Sequence, residues 1–157
     1  MKISSARKVR RMIRLDMPRV LDIESRSFDY PWDEKLFIGS LRQRNCIGLV
    51  CEDLSSEKVV GYAVYELLKT ETHLLNLAVD FDHRRKGIGS SLIVNIKNKL
   101  WLSHKRTSIT LEVAESNVGA QCFFRSQIFK AVDVLKDFYI QNEQDAYMMQ
   151  FKQNEPV

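Results

Sequence analysis

The sequence predicts one mixed α/β domain, with strand hairpins first and a strand–helix–strand crossover later. Three observations carry this. Apolar segments alternate between strand-like and helix-like spacing in the order β-α-α-β-β-β-α-β-α-β-β. A glycine turn, "HRRKGIGSSLI" at 83–93, joins a strand-like run directly to a helix-like one. The 157 residues suit one ordinary domain, and 45% hydrophobic with 28% charged residues is a globular composition.

"VRRMIRL" (9–15) reads as the first strand, closed by Asp16 as a candidate helix cap with Pro18 in the first turn. Met17, Val20, Leu21 and Glu24 then follow helical spacing. After "FDYPW" a second helix starts at Asp33, with Leu36, Phe37 and Leu41 on one face. "CIGLVCE" (46–52) and "VVGYAVYELL" (59–68) are strands split by the turn-rich "DLSSEK". "HLLNLAV" (73–79) is another strand, and beyond the glycine turn Leu92, Ile93, Ile96 and Leu100 form a helical stripe. "SITLEVA" (108–114) is a strand and Asn117 to about Ser126 a short helix. "FKAVDVL" (129–135) and "AYMMQF" (146–151) close the chain as a strand pair.

Composition excludes several classes. The longest apolar runs fall short of the roughly 18 residues a membrane span needs. The basic start "MKISSARKVRRMIR" lacks a secretory apolar core, so a cytoplasmic protein without membrane contact is expected. Cys46, Cys51 and Cys122 are odd in number and lack CxxC spacing, which favours buried free thiols over disulfides or zinc. His73, His83 and His104 show neither metal spacing nor a partner and read as surface residues; no metal is expected. The formal charge of +4 permits acidic or phosphorylated partners. No RNP-like aromatic segment or basic helix stripe accompanies it, so no nucleic-acid partner is expected. A monomer or weak dimer is expected.

The glycine turn is neither of two common phosphate motifs. A P-loop needs Lys and Ser/Thr after its last glycine, whereas Lys86 precedes Gly87. A dinucleotide fingerprint needs a small residue where Leu92 stands. Small residues at Gly87, Gly89 and Ser90 still let backbone N–H groups converge at a helix start, with Arg84, Arg85 and Lys86 as cationic arms. An anion cradle and an ordinary helix start both satisfy this stretch.

The flanking residues add specificity. "LLNLAVDFDHRRKGIGSSLI" resembles the cofactor signature of the GNAT superfamily of acyl-CoA-dependent N-acetyltransferases, whose [Q/R]xxGx[G/A] pattern is met by Arg84, Gly87 and Gly89. "LEVAESNVGAQCFF" resembles the family's "LEVRxSNxxAxxLY" at the expected distance. "FDYPWDEKLF" and "DAYMMQF" resemble segments of its ribosomal-protein-alanine N-acetyltransferase branch, so the resemblance covers nearly the whole chain.

The resemblance implies a single GNAT-like domain over 1–157: a mixed, mostly antiparallel sheet with helices on both faces and splayed fourth and fifth strands, 73–79 and 108–114. Acetyl-CoA enters that V as co-substrate. Leu77, Ala78 and Val79 supply backbone contacts to its pantetheine arm. Arg84 meets the signature, and Arg85, Lys86, Gly87, Ile88, Gly89 and Ser90 hold the pyrophosphate. Asn117 contacts the arm, although the residue is also a sound helix N-cap. Tyr30 and Trp32 line the acceptor groove, with Phe28 and Trp32 equally readable as core anchors.

Acetyl transfer to an amine needs a base, and Glu112 is the candidate. Ile109, Leu111 and Val113 share one strand face, so Glu112 points to the other beside Thr110. The family's usual proton donor is a tyrosine, but Phe124 stands at that position, beside the cofactor. Tyr139 is the substitute acid; alternatively no dedicated acid is used. Ile128 replaces a family glycine at a left-handed helix end, which predicts a different termination at 126–129. The expected function is acetylation of a primary amine by direct attack in a ternary complex, most specifically a protein N-terminal α-amine. The alternatives are a polyamine- or aminoglycoside-like acceptor, and a weakened acyl-CoA-binding protein.

Overall fold

Strands and helices alternate along the chain as the apolar spacing requires. The strands are β1 (Arg7–Arg11), β2 (Cys46–Asp53), β3 (Lys58–Leu67), β4 (Glu71–Val79), β5 (Ser108–Ala114), β6 (Lys130–Tyr139) and β7 (Gln144–Lys152). The helices are α1 (Met17–Ser27), α2 (Glu34–Leu41), α3 (Ile88–Trp101) and α4 (Val118–Ser126). The computed structural model describes residues 6–139 and 143–153. All seven strands form one sheet in the order β1-β2-β3-β4-β5-β7-β6. Every neighbour is antiparallel except β4 and β5, which run parallel and are joined through α3. The expected mixed α/β architecture is therefore the observed one.

The helical stripe of α3 buries Leu92, Ile93, Ile96 and Leu100 against one sheet face, where Ile109, Leu111, Val113, Phe124 and Phe129 complete an apolar cluster. On the opposite face Met17, Val20 and Ile23 of α1 and Phe37 of α2 pack against Val50, Tyr62, Val64 and Ala78. Each fully buried side chain of this size contributes about 1.5–3 kcal/mol. Among the described residues no helix is long and apolar enough to cross a membrane.

Several local expectations change. The first strand ends at Arg11, and a 3-10 turn occupies Arg14–Asp16. Asp16 does not cap α1 with its side chain. Its carboxylate instead accepts the Ile13 N–H (2.8 Å) and a bidentate pair of bonds from Arg10 (2.8 and 2.9 Å), which stop the strand. Asp33 does cap α2, accepting the Leu36 N–H at 2.8 Å. Leu36 itself is 47% exposed, since Phe37 takes the inward position on this short helix. Cys51 is buried and Cys46 half-buried, but Cys122 is exposed because α4 rests on Phe124, two positions on and across the helix.

The end of α4 overturns another expectation. Ile128 does enter the left-handed region, at φ 69°. Ile128 N–H donates to Arg125 C=O (3.0 Å) and Phe129 N–H to Phe124 C=O (3.0 Å), the Schellman pattern that glycine usually serves. The β-branched residue holds this left-handed geometry at a strain of roughly 1–2 kcal/mol, offset by the burial of Phe129 next to it.

Candidate active site

The central cleft follows from a pairing that stops early. β4 and β5 are matched at only three positions, Glu71 with Ser108, Thr72 with Ile109 and His73 with Thr110. Beyond these β4 stays paired to β3 and β5 to β7, so the facing edges part into a V. A bulge at Leu75 loosens β4 where the V opens. Asp80 N–H donates to Val60 C=O (2.8 Å). Antiparallel alternation then turns Ala78 toward Tyr62 and aims the backbone groups of Leu77 and Val79 into the cleft. Val79 C=O already accepts from Arg84 Nε (3.2 Å).

The glycine turn sits at the open end of the V. Gly87, at φ 79°, opens α3, and no side chain caps that helix end. The first intrahelical bond runs from Ser91 N–H to Gly87 C=O (3.0 Å), leaving the N–H groups of Ile88, Gly89 and Ser90 in the uncapped first turn. A Cβ on Gly89 would lie 2.9 Å from Phe123 Cζ, so only glycine lets α3 approach α4 this closely. Arg85 is also left-handed, at φ 61°. These are free backbone donors beside Arg84, Arg85 and Lys86, with the Arg7 guanidinium donating to Lys86 C=O, a chemistry suited to a polyphosphate.

The closed end of the V holds a half-buried line of three titratable groups. Glu66 on β3 pairs directly across from His73 on β4. His73 Nδ1 lies 2.9 Å from Glu66 Oε1, and its Nε2 lies 2.7 and 2.9 Å from the two Glu112 carboxylate oxygens. Glu112 points away from the α3 face, as the alternation of Ile109, Leu111 and Val113 requires. The Glu112 carboxylate, with help from Glu66, outweighs burial and raises the His73 pKa from 6.5 to about 9. At neutral pH His73 is an imidazolium donating to both carboxylates. His73 was expected on the surface with no partner; strand register puts it at the centre of the cleft. His83 is also partnered, with Asp80 Oδ2 2.8 Å from its Nδ1, and His104 alone lies exposed as expected.

A sequence model of the Acetyltransferase (GNAT) family matches residues 17–128. The chain belongs to the GNAT family. This acetyltransferase is 29% identical over 136 residues to the [ribosomal protein bS18]-alanine N-acetyltransferase of Salmonella typhimurium, covering 85% of this chain and 89% of that protein. Its fold matches the ribosomal-protein-S18-alanine N-acetyltransferase of Escherichia coli with a TM-score of 0.83 at 23% identity, over 97% of both chains. It also matches Arabidopsis thaliana NAA60 in complex with acetyl-CoA, with a TM-score of 0.84 at 19% identity, over 94% of this chain and 99% of that one.

The remaining expected residues of the acetyltransferase fall into two groups. Asn117 caps α4, its Oδ1 accepting the Ala120 N–H at 3.1 Å, on the β5 side of the V. Tyr139 is half-buried at the end of β6, where burial and then the nearby Glu112 charge raise its pKa above 10. Tyr30 is 56% exposed on the loop after α1. Phe124 and Trp32 are more closely packed. Phe124 is 7% exposed with ring contacts to Phe123 and Phe129 at 5.0 and 5.5 Å, and Trp32 lies edge-on to Phe37 at 5.1 Å. The reading of the sequence missed Glu66 and His73. One available signal was their spacing about the 68–70 turn, which makes them cross-strand partners in a tight hairpin.

Proposed function

We propose that this acetyltransferase moves an acetyl group from acetyl-CoA to a protein N-terminal α-amine, of the ribosomal-protein-alanine type, by direct attack in a ternary complex. The carrying observation is the Glu66–His73–Glu112 line at the closed end of the V. The names of the relatives support the acceptor class.

The pyrophosphate of acetyl-CoA sits on the N–H groups of Ile88, Gly89 and Ser90, with Gly87 setting the turn and Arg84, Arg85 and Lys86 around it. Its pantetheine arm lies along the cleft edge of Leu77 and Val79 beside Ala78, with Asn117 and the Phe124 ring on the other wall. The acceptor enters past Tyr30, Trp32 and Tyr139. Glu112 takes a proton from the acceptor ammonium, directly or through one water, and the freed nitrogen attacks the thioester carbonyl. Backbone N–H groups on the open edge of β4 stabilise the developing oxyanion. Collapse breaks the C–S bond, and the attacking nitrogen releases its second proton to solvent. His73 delivers its own proton to the leaving sulfur and recovers one from the protonated Glu112. A thiol titrates near 8.5, so a donor at about 9 is closely matched, whereas burial has made Tyr139 a weaker acid than an ordinary tyrosine. His73 thus fills the role that Phe124 cannot.

The test is mass spectrometry of N-terminal peptides, Ala-starting ones included, incubated with acetyl-CoA. The expected product carries one acetyl group on the α-amine. Turnover confined to polyamines or aminoglycosides sinks the acceptor assignment. A thermal shift with acetyl-CoA but no CoA release with any amine sinks catalysis.

A further inference from the structure

The polar face of the sheet also contains a carboxylate that the reaction does not use. Glu24, on the last turn of α1, is 1% exposed and takes part in no ion pair among the described residues. A buried carboxylate without a cation is costly unless its lone pairs are filled. Here three donors fill them. Trp32 N–H donates to Oε1 (3.0 Å), while Asn76 Nδ2 (2.8 Å) and the Tyr62 hydroxyl donate to Oε2. Burial and the adjacent carboxylate push the Tyr62 phenol far above its ordinary range, so it stays a donor.

These donors come from three different places. Trp32 ends the loop that follows α1, Tyr62 is on β3, and Asn76 directly follows the Leu75 bulge of β4. The other end of the loop hangs from the same residue, because Phe28 N–H donates to the Glu24 backbone carbonyl (3.3 Å). The five residues 28–32, with Tyr30 exposed among them, are therefore suspended at both ends from Glu24. The side chain of Glu24 ties that loop to the segment of β4 that opens the V.

We propose that Glu24 is a positioning residue that sets the acceptor loop against the bulged edge of β4, and thereby sets affinity for the acceptor. This rests on the acceptor-groove reading above. Glu24 touches no reacting atom; it fixes the spacing of the two walls between which the acceptor nitrogen must approach. A glutamine there offers one acceptor oxygen where the carboxylate offers two, so the three donors cannot keep their present arrangement.

The experiment uses the full chain carrying Trp101→Phe, which removes the exposed tryptophan at the far end of α3 and leaves Trp32 as the sole indole of the two. In that background Glu24→Gln is expected to red-shift Trp32 emission and ease its quenching by acrylamide. The peptide KM should rise at least about fivefold, since small misplacements of a reacting group cost this much or more. The acetyl-CoA KM should stay within about twofold. Asn76→Ala, which keeps the carboxylate and removes only the β4 donor, should raise the peptide KM by a smaller factor and serves if Glu24→Gln fails to fold. Unchanged Trp32 emission in the folded variant overturns the proposal, and so does an unchanged peptide KM, even if the melting temperature drops. The emission measurement needs no acceptor. A wild type inert toward every peptide therefore sinks the N-terminal acceptor reading, while an unshifted Trp32 spectrum sinks the role of Glu24.

Discussion

The two faces of the central sheet obey different rules. Under α3 the interior is apolar: Leu92, Ile93, Ile96 and Leu100 meet Ile109, Leu111, Val113 and Phe124. On the opposite face Val20, Ile23 and Phe37 share the space with Glu24, Tyr62 and Asn76, and His73 and Glu112 stand at the end of the cleft. Buried polar groups are expensive unless partnered, and the buried carboxylate of Glu24 and carboxamide of Asn76 both lie on this second side. On the proposed mechanism the α3 face, apart from the first turn of α3, is scaffold and the other face does the chemistry. Substitutions on the first should therefore move stability, and substitutions on the second should move rate.

The largest expected effect is on the polar face. Glu112→Gln should lower kcat by about 10²–10⁴-fold, the usual worth of a general base, and at neutral pH should lower the urea midpoint only by the part of the His73 imidazolium's stabilisation that Glu112 supplies. A variant retaining half the wild-type rate would break the division between the faces. Phe124→Ala probes the scaffold face and should cost about 3–5 kcal/mol in urea denaturation. Phe124→Tyr restores the family tyrosine, and with His73 as the proposed proton donor it should change kcat by less than about threefold. A large gain would return the acid role to that position.

His73 sharpens the comparison through pH. Its folded pKa, about 9, lies above the ordinary 6.5. The imidazolium therefore contributes stability that is fully present below pH 6.5 and is lost as pH rises through 9. Against His73→Gln, the wild type should lose on the order of 1–3 kcal/mol across that window. Parallel stability curves for the two proteins would remove the charged His73. The smallest effect lies at the edge of the scaffold. Ile128 is 53% exposed and left-handed, so Ile128→Gly should raise stability by about 0.5–1 kcal/mol, the relief of strain less the added freedom of the unfolded chain.

Much of the open half of the cleft was legible in the residues themselves. The α3 stripe, the outward aim of Glu112 and the glycine turn are patterns of near neighbours, and near neighbours obey the periods of helix and strand. Asp16 and Leu36 were misread for a local reason as well: a cap or a stripe position is only an offer, and Arg10 and Phe37 made better ones. Ile128 was misread for the opposite reason, because the Schellman bonds and the buried Phe129 outweighed the residue's own preference.

The proton-handling half was hidden. Glu112 and His73 are 39 residues apart, and nothing periodic in either segment says that their strands run parallel with His73 opposite Thr110. Glu24 and Asn76 are 52 residues apart and belong to a helix and a strand. By itself the sequence determined the order of elements, the apolar face of most of them, and a glycine turn that opens a helix, because those depend on residues a few positions apart. Only the tertiary structure decided that a histidine with a surface-like context lies between two carboxylates. That choice depends on register between distant strands, where one residue of slip moves every side chain to the other face.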